Sequence, residues 1–240
     1  MTTLVIADLH NKVNWVTPFI TALEQKIKID EIVFLGDYFD EFHDTPYEAE
    51  GTARWLQESL RDKRRHHCIG NHDMPYLLPK VPKSQQCPGW SAMKDSAVNK
   101  VLRREEWDQL LTAYYSQGWL FSHAGFTAEL FANPIGVTDP AALIKKTEHA
   151  LGLMKGGIHR DEFGPGSRMG DLEPGGVTWC DWGDFNPIVG IQQVVGHTPD
   201  GYIRNKESVK GEKNYCIDCN SRVALLIVDG VPQVVNTMTR

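Results

Sequence analysis

Short apolar runs that each close on a polar residue set the rhythm of the first third of the chain. Thr2 to Ala7 (TTLVIA) ends at Asp8, and Glu31 to Leu35 (EIVFL) ends at Gly36-Asp37. A third run, through His67-Cys68-Ile69, ends at Gly70-Asn71. Runs of this length predict strands buried on both faces. Between them, Thr17-Pro18 and Thr45-Pro46 read as helix starts, with a threonine cap and proline in the first turn. The first helix would turn Phe19, Ile20, Leu23 and Ile27 inward, and the second would carry Ala49, Ala53, Trp55 and Leu56. A βαβαβ opening predicts right-handed crossovers, parallel strands and a ligand site beyond their carboxyl ends. Asp8, Asp37 and Asn71 each stand at such an end.

The middle has helical spacing from Ser96 to about Tyr115, and Asp139-Pro140 opens another helix. Gly118 to Phe121 is a short strand delivering Ser122-His123-Ala124-Gly125. Gly156 to Gly176 reads as an ordered surface loop carrying Arg160 and Arg168. The last third is strand and turn: Gln192 to Val195 before Gly196-His197, Tyr202-Ile203, Tyr215 to Ile217, Val223 to Val228 and Val231 to Val235. Asp229-Gly230 joins the final pair as a two-residue hairpin.

At 240 residues, with 41% apolar and 23% charged positions, the chain is expected to form one soluble domain over residues 1–240. No window approaches a membrane span, and the opening residues lack the features of a secretory leader. The net charge of −6 disfavours bulk nucleic-acid binding. The basic run Arg61 to His67 reads as a helix end and strand start. Cys216 and Cys219 form one C-x-x-C without a second pair to complete a zinc site, so strand–turn–strand is the expectation. The five cysteines fit a reducing cytoplasm better than a disulfide framework.

Five clusters carry candidate chemistry: Asp8-Leu9-His10, Gly36-Asp37-Tyr38-Phe39-Asp40, Gly70-Asn71-His72-Asp73, Ser122-His123-Ala124-Gly125 and Gly196-His197-Thr198-Pro199. Carboxylate, amide and imidazole donors together suit borderline divalent metals. Asp8, His10 and Asp37 are expected to make one metal site. Asp37, Asn71, His123 and His197 would make a second, with Asp37 bridging. Two such cations lower the pKa of a bridging water and clamp the attacking and leaving oxygens of an in-line displacement. His72 is expected to protonate the leaving oxygen, with Asp40 holding its other nitrogen.

The ordered motifs D-x-H, G-D-x-x-D, G-N-H-D, S-H-A-G and G-H-T-P resemble the calcineurin-like metallophosphoesterase superfamily. The chain is similar to its protein-phosphatase-type branch, which includes bacterial and phage phosphatases and diadenosine tetraphosphatases. Trp179-Cys180-Asp181-Trp182 and the stretch around Cys216 extend the resemblance. It implies an αββα sandwich of two mixed sheets flanked by helices. It also implies a dinuclear centre, with Mn²⁺ first and Fe, Zn²⁺ or Ni²⁺ as other occupants, and hydrolysis of small phosphate mono- or diesters, nucleotide or phosphoprotein. The rival expectation is a metal-binding scaffold of the same fold with little turnover.

Two positions depart from the pattern. The branch follows G-D-x-x-D with a phosphate-gripping arginine, where this chain has Glu41-Phe42. A carboxylate there is expected to repel a dianionic monoester more than a diester. Pro199 stands where diesterase branches place a second histidine. Arg160 and Arg168 are candidates either for a substitute grip on phosphate or for solvated loop positions. Tyr38, Phe39, Phe42 and Tyr47 are candidates either for stacking on substrate or for the core.

Overall fold

A computed structural model describes residues 1–79, 86–132, 139–170 and 172–237. The elements run β1 (Thr2–Ile6), α1 (Val16–Glu24), β2 (Glu31–Phe34), α2 (Pro46–Ser59), β3 (Arg65–His67), α3 (Met74–Leu77), α4 (Ala92–Val101) and α5 (Arg104–Trp107). They continue with β4 (Tyr114–Ser116), β5 (Trp119–Phe121), α6 (Ala128–Phe131), α7 (Pro140–Lys155), β6 (Gln192–Val195), β7 (Arg204–Glu207), β8 (Lys213–Cys216), β9 (Val223–Val228) and β10 (Val231–Asn236).

Among the described residues, the strands form two mixed five-stranded sheets, ordered β10-β9-β1-β2-β3 and β4-β5-β6-β8-β7. In the first, β1, β2 and β3 are parallel, and β9 and β10 add antiparallel. In the second, β5, β6 and β8 are parallel. Strand alternation explains why the opening runs are apolar throughout. Leu4, Ile6, Ile32 and Phe34 pack in the core under the helices, while Val5, Ala7, Val33 and Leu35 meet Trp119, Phe121 and Val194 of the other sheet. A strand covered on both faces is apolar at every position.

Local chemistry sets most helix ends. Thr45 and Glu48 form a capping box on α2, Ser91 caps α4 through the Lys94 N–H, and Asp139 caps α7 through the Ala141 N–H. The Asp229-Gly230 hairpin is present, with both residues at positive φ.

Three expectations are corrected. Thr17 does not cap α1, which starts at Val16 out of a 3-10 turn over Val13–Trp15; its hydroxyl accepts from the Trp55 indole N–H instead. The single helix expected from Ser96 to Tyr115 is two helices broken at the extended Leu102, followed by a strand. Leu111 is taken by the edge of β3, donating to the His67 carbonyl at 2.8 Å and accepting from the Ile69 N–H at 2.9 Å. Sheet pairing overrides the helical spacing there. Tyr202-Ile203 is a bend, and the strand begins at Arg204.

The basic run is structural. Arg64 pairs with Glu24 and Asp62, and His67 is buried between the Ser59 and Tyr38 hydroxyls. Cys216 and Cys219 are buried thiols without a disulfide between them. Tyr38 and Phe39 are core, whereas Phe42 and Tyr47 are exposed. Asp171, within the Gly-rich stretch, lies outside the described residues.

Candidate metal centre

The carboxyl ends of parallel strands from both sheets converge on one cavity of about 330 Å³. Asp8 follows β1, Asp37 follows β2 and Asn71 follows β3, while His123 follows β5 and His197 follows β6. Asp8, Asp37, Asn71 and His197 line it together with His10, Asp40, Glu41, His72 and Arg168, whereas His123 is wholly buried against Asn71 and His197. The loops bend sharply: His10, Asp37, Asp40 and His197 all have positive φ, a conformation that persists in non-glycine residues only where surroundings fix it. Two motif glycines are required by close approach. A Cβ on Gly70 would lie 2.1 Å from Asp37 Oδ1, and one on Gly196 would lie 2.2 Å from Asp8 Oδ1.

Backbone donors hold the carboxylates. The His197 N–H reaches Asp8 Oδ1 at 3.0 Å, and the His72 N–H reaches Asp37 Oδ1 at 2.8 Å. Asp73 is wholly buried and accepts from the N–H groups of Gly70, Asp37 and Tyr38 at 2.8 to 2.9 Å. It pins the loop after β2 to the loop after β3. Burial pushes its carboxyl up to about 7 even against those three bonds.

The tautomers follow from the outer contacts. His123 Nδ1 lies 2.9 Å from the Leu35 carbonyl, so it carries the proton and donates there. Its Nε2 lone pair then faces two acceptors, Asn71 Oδ1 at 2.9 Å and Asp37 Oδ2 at 3.4 Å, and lies 3.1 Å from His197 Nδ1. Asn71 is oriented by its Nδ2, which donates to Cys87 Sγ at 3.2 Å. His10 repeats the arrangement. Its Nδ1 lies 2.8 Å from the Asp40 carbonyl, leaving Nε2 at 3.8 Å from Asp37 Oδ2 and 4.0 Å from Asp8 Oδ2.

Acceptors pointed at acceptors in a buried space repel one another unless a cation or protons lie between them. Burial and neighbouring charge both act on these groups. Burial, then the neighbouring Asp218 charge, raises the Asp8 carboxyl well above its ordinary range; burial, then Asp8, does the same to Asp37. Burial lowers His123 and His197 well below the usual imidazole value and brings His10 down to about 4. Neutral imidazoles and clustered carboxylates are the groups that hold divalent metals, so the donor set fits such ions. Asp37, His123 and His197 form one group of donors within 4.8 Å of one another, and His10, Asp37 and His72 another.

His72 stands on the open side, its Nδ1 3.3 Å from Asp40 Oδ2. Asp40 is anchored by the Tyr76 hydroxyl at 2.6 Å and by the buried Lys94 ammonium at 3.4 Å. Lys94 also pairs with Asp44 and donates to the Gly89 carbonyl at 2.7 Å. Arg168 lines the cavity and is held bidentate by Asp181, at 2.8 and 2.5 Å. Asp181 Oδ1 lies 4.0 Å from His197 Nε2. Arg160 is not among the cavity-lining residues; it pairs with Glu162. Glu41 is not the bare charge that its sequence position suggests, because Lys12 pairs with it on the cavity rim. Burial raises the Glu41 carboxyl, but the hydrogen bonds from Lys12 and the Phe42 N–H together outweigh it and the net shift is downward.

Sequence reading assigned no role to Asp73, Asp181, Lys94, Lys12 or Asp218. Asp73 ends the G-N-H-D cluster and Asp181 sits in the tryptophan segment, so both carried a signal. Lys94, in α4, carried none.

Solved structures share this fold. A mutant of a cold-active protein tyrosine phosphatase aligns with a TM-score of 0.57 at 16% identity, over 97% of this chain and 80% of that one. A serine/threonine protein phosphatase from Saccharomyces cerevisiae aligns with a TM-score of 0.52 at 11% identity, over 100% and 81%. A putative diadenosine tetraphosphatase aligns with a TM-score of 0.47 at 15% identity, over 98% and 93%. No curated protein sequence matches. The family profile described as calcineurin-like phosphoesterase matches residues 1–216, and with the converging metal donors it places the chain in the calcineurin-like phosphoesterase family, whose members are metal-dependent phosphoesterases.

Proposed function

We propose that this chain acts as a single 240-residue catalytic unit that hydrolyses phosphate esters at a dinuclear centre. Asp8, His10 and Asp37 hold one cation, and Asp37, Asn71, His123 and His197 hold the second. The observation that carries this reading is the convergence of Asn71 Oδ1, His123 Nε2, His197 Nδ1 and Asp37 Oδ2, all potential metal donors, at one buried point. When bound, two divalent cations, Mn²⁺ first, supply an activated water and neutralise phosphoryl charge.

The chain's own residues do the rest. Asp40 accepts from His72 Nδ1 and fixes the ring, so that His72 Nε2 donates a proton to the departing ester oxygen. Tyr76 and Lys94 fix Asp40 in turn. Arg168, pre-oriented by Asp181, offers its outer N–H groups to the phosphate. The complete donor set favours turnover over an inactive scaffold. The cytoplasmic location expected from the cysteines remains part of this reading.

The test is turnover of aryl mono- and diesters by purified protein with added Mn²⁺, before and after chelation. Metal-dependent hydrolysis of at least one ester class is the expected outcome. Metal binding with no hydrolysis of any ester would return the scaffold reading.

A further inference from the structure

The rim pair Lys12–Glu41 has a geometry that folding alone does not call for. Lys12 follows His10 in the loop after β1, and Glu41 follows Asp40 in the loop after β2. Backbone bonds tie the two loops: the Leu9 and His10 N–H groups donate to the Asp37 carbonyl, and the Asn11 N–H donates to the Tyr38 carbonyl. The two side chains therefore arrive together. They remain 49% and 31% exposed, and a pair at that exposure adds little stability.

Glu41 is itself oriented. Its Oε1 accepts from the Phe42 N–H at 3.2 Å, while Oε2 meets the Lys12 ammonium. A lysine ammonium has three N–H donors; Glu41 takes one and leaves the others for the cavity that both residues line. Arg168, held by Asp181, does the same on the side of His197. The site thus has two cationic side chains on its rim, each kept in place by a carboxylate.

We infer that Lys12, steered by Glu41, contacts the phosphoryl oxygens of the substrate and suits the site to dianionic phosphate monoesters. This rests on the phosphoesterase reading above and names its substrate class. A monoester carries one more negative charge than a diester, so each held cation favours it in the partly buried cavity. The Glu41 carboxylate, balanced by Lys12, no longer counts against the dianion. Glu41 is the positioning residue, and Lys12 is the residue that touches substrate.

The experiment uses the full chain loaded with Mn²⁺. It compares the parent with Lys12→Ala, Lys12→Glu and the exchange Lys12→Glu/Glu41→Lys. Calorimetry measures binding of inorganic phosphate, and kinetics compares p-nitrophenyl phosphate with bis-p-nitrophenyl phosphate. Lys12→Ala is expected to weaken phosphate binding and raise the monoester KM by roughly tenfold, with a smaller rise for the singly charged diester. Lys12→Glu should lose more, and the exchange should recover most of that loss, while the urea midpoint stays nearly constant across the series; a merely structural role would instead move the midpoint together with the affinity. Unchanged phosphate affinity and an unchanged monoester-to-diester ratio in Lys12→Ala, at normal Mn²⁺ content, would overturn the inference. If the parent hydrolyses neither ester, the phosphoesterase reading fails, while the phosphate-binding comparison still decides the role of Lys12.

Discussion

Asn71, His123 and His197 lie on the buried side of the site, whereas His72, Lys12, Glu41 and Arg168 line the open side of its cavity. In the buried half most donors are fixed by backbone: His123 by the Leu35 carbonyl, Asp37 by the His72 N–H, Asp8 by the His197 N–H. On the open side the fixing groups are other side chains, Asp40 for His72, Glu41 for Lys12 and Asp181 for Arg168. Backbone positions change only with the fold, so the buried half is tied to the architecture. Side-chain partners change one residue at a time, so the open half can change its charge without a change of fold. The pair after Asp40 illustrates this, since the Glu41 carboxylate is matched by Lys12 from a neighbouring loop.

The comparison breaks most severely at Asp37, the one residue shared by both proposed metal positions. Asp37→Asn is expected to lose both metals and all measurable turnover, read by elemental analysis beside activity. Retention of two metals per chain would separate Asp37 from the centre. On the open side, His72→Asn should keep both metals yet slow turnover by about 10²–10⁴-fold. The loss should be smaller for p-nitrophenolate esters than for alkyl esters, because a good leaving group needs less protonation. Equal losses on both would remove His72 from the acid role, and lost metal would make it a ligand.

Lys94 sharpens the contrast from beneath the rim. It is buried between Asp40 and Asp44, so Lys94→Met leaves two buried carboxylates without their cation. Breaking such a pair from one side costs about 3–5 kcal/mol, readable as a fall in the urea midpoint. Adding Asp44→Asn should recover part of it. A loss under about 1 kcal/mol would place Lys94 among weakly coupled surface pairs.

Near neutral pH, the smallest effect lies outside both halves. Burial, with minor help from Arg65 and His66, lowers His67 from 6.5 to about 3. The folded chain therefore resists protonating His67, while the unfolded chain accepts the proton as pH falls below 6.5. Its contribution is intact above that pH and is lost as pH falls from 6.5 towards 3. The stability gap between the parent and His67→Gln should narrow across that window, and a constant gap would contradict the assignment.

Much of this was legible before any coordinates. Asp8, Asp37 and Asn71 stood at the ends of apolar runs because parallel strands are apolar and their ends are where polar residues gather. The helix start at Thr45-Pro46 and the hairpin at Asp229-Gly230 are local chemistry and were readable as such, while the capping box with Glu48 appears only in the structure. The helix expected through Leu111 failed because an apolar residue at helical spacing also satisfies a sheet edge, and only the open backbone of β3 decides between them.

The sequence by itself determined the order of the strand ends, the polar residue types that stand at them and the family, since these depend on short segments whose spacing carries the signal. Tertiary structure alone decided which donors face one another, because His123 and His197 are brought to Asp37 and Asn71 by a second sheet far along the chain. It also decided that Glu41 is paired, that Arg168 and not Arg160 lines the cavity, and that Lys94 is buried. Each of these depends on a through-space distance between charges, and linear spacing does not encode such distances.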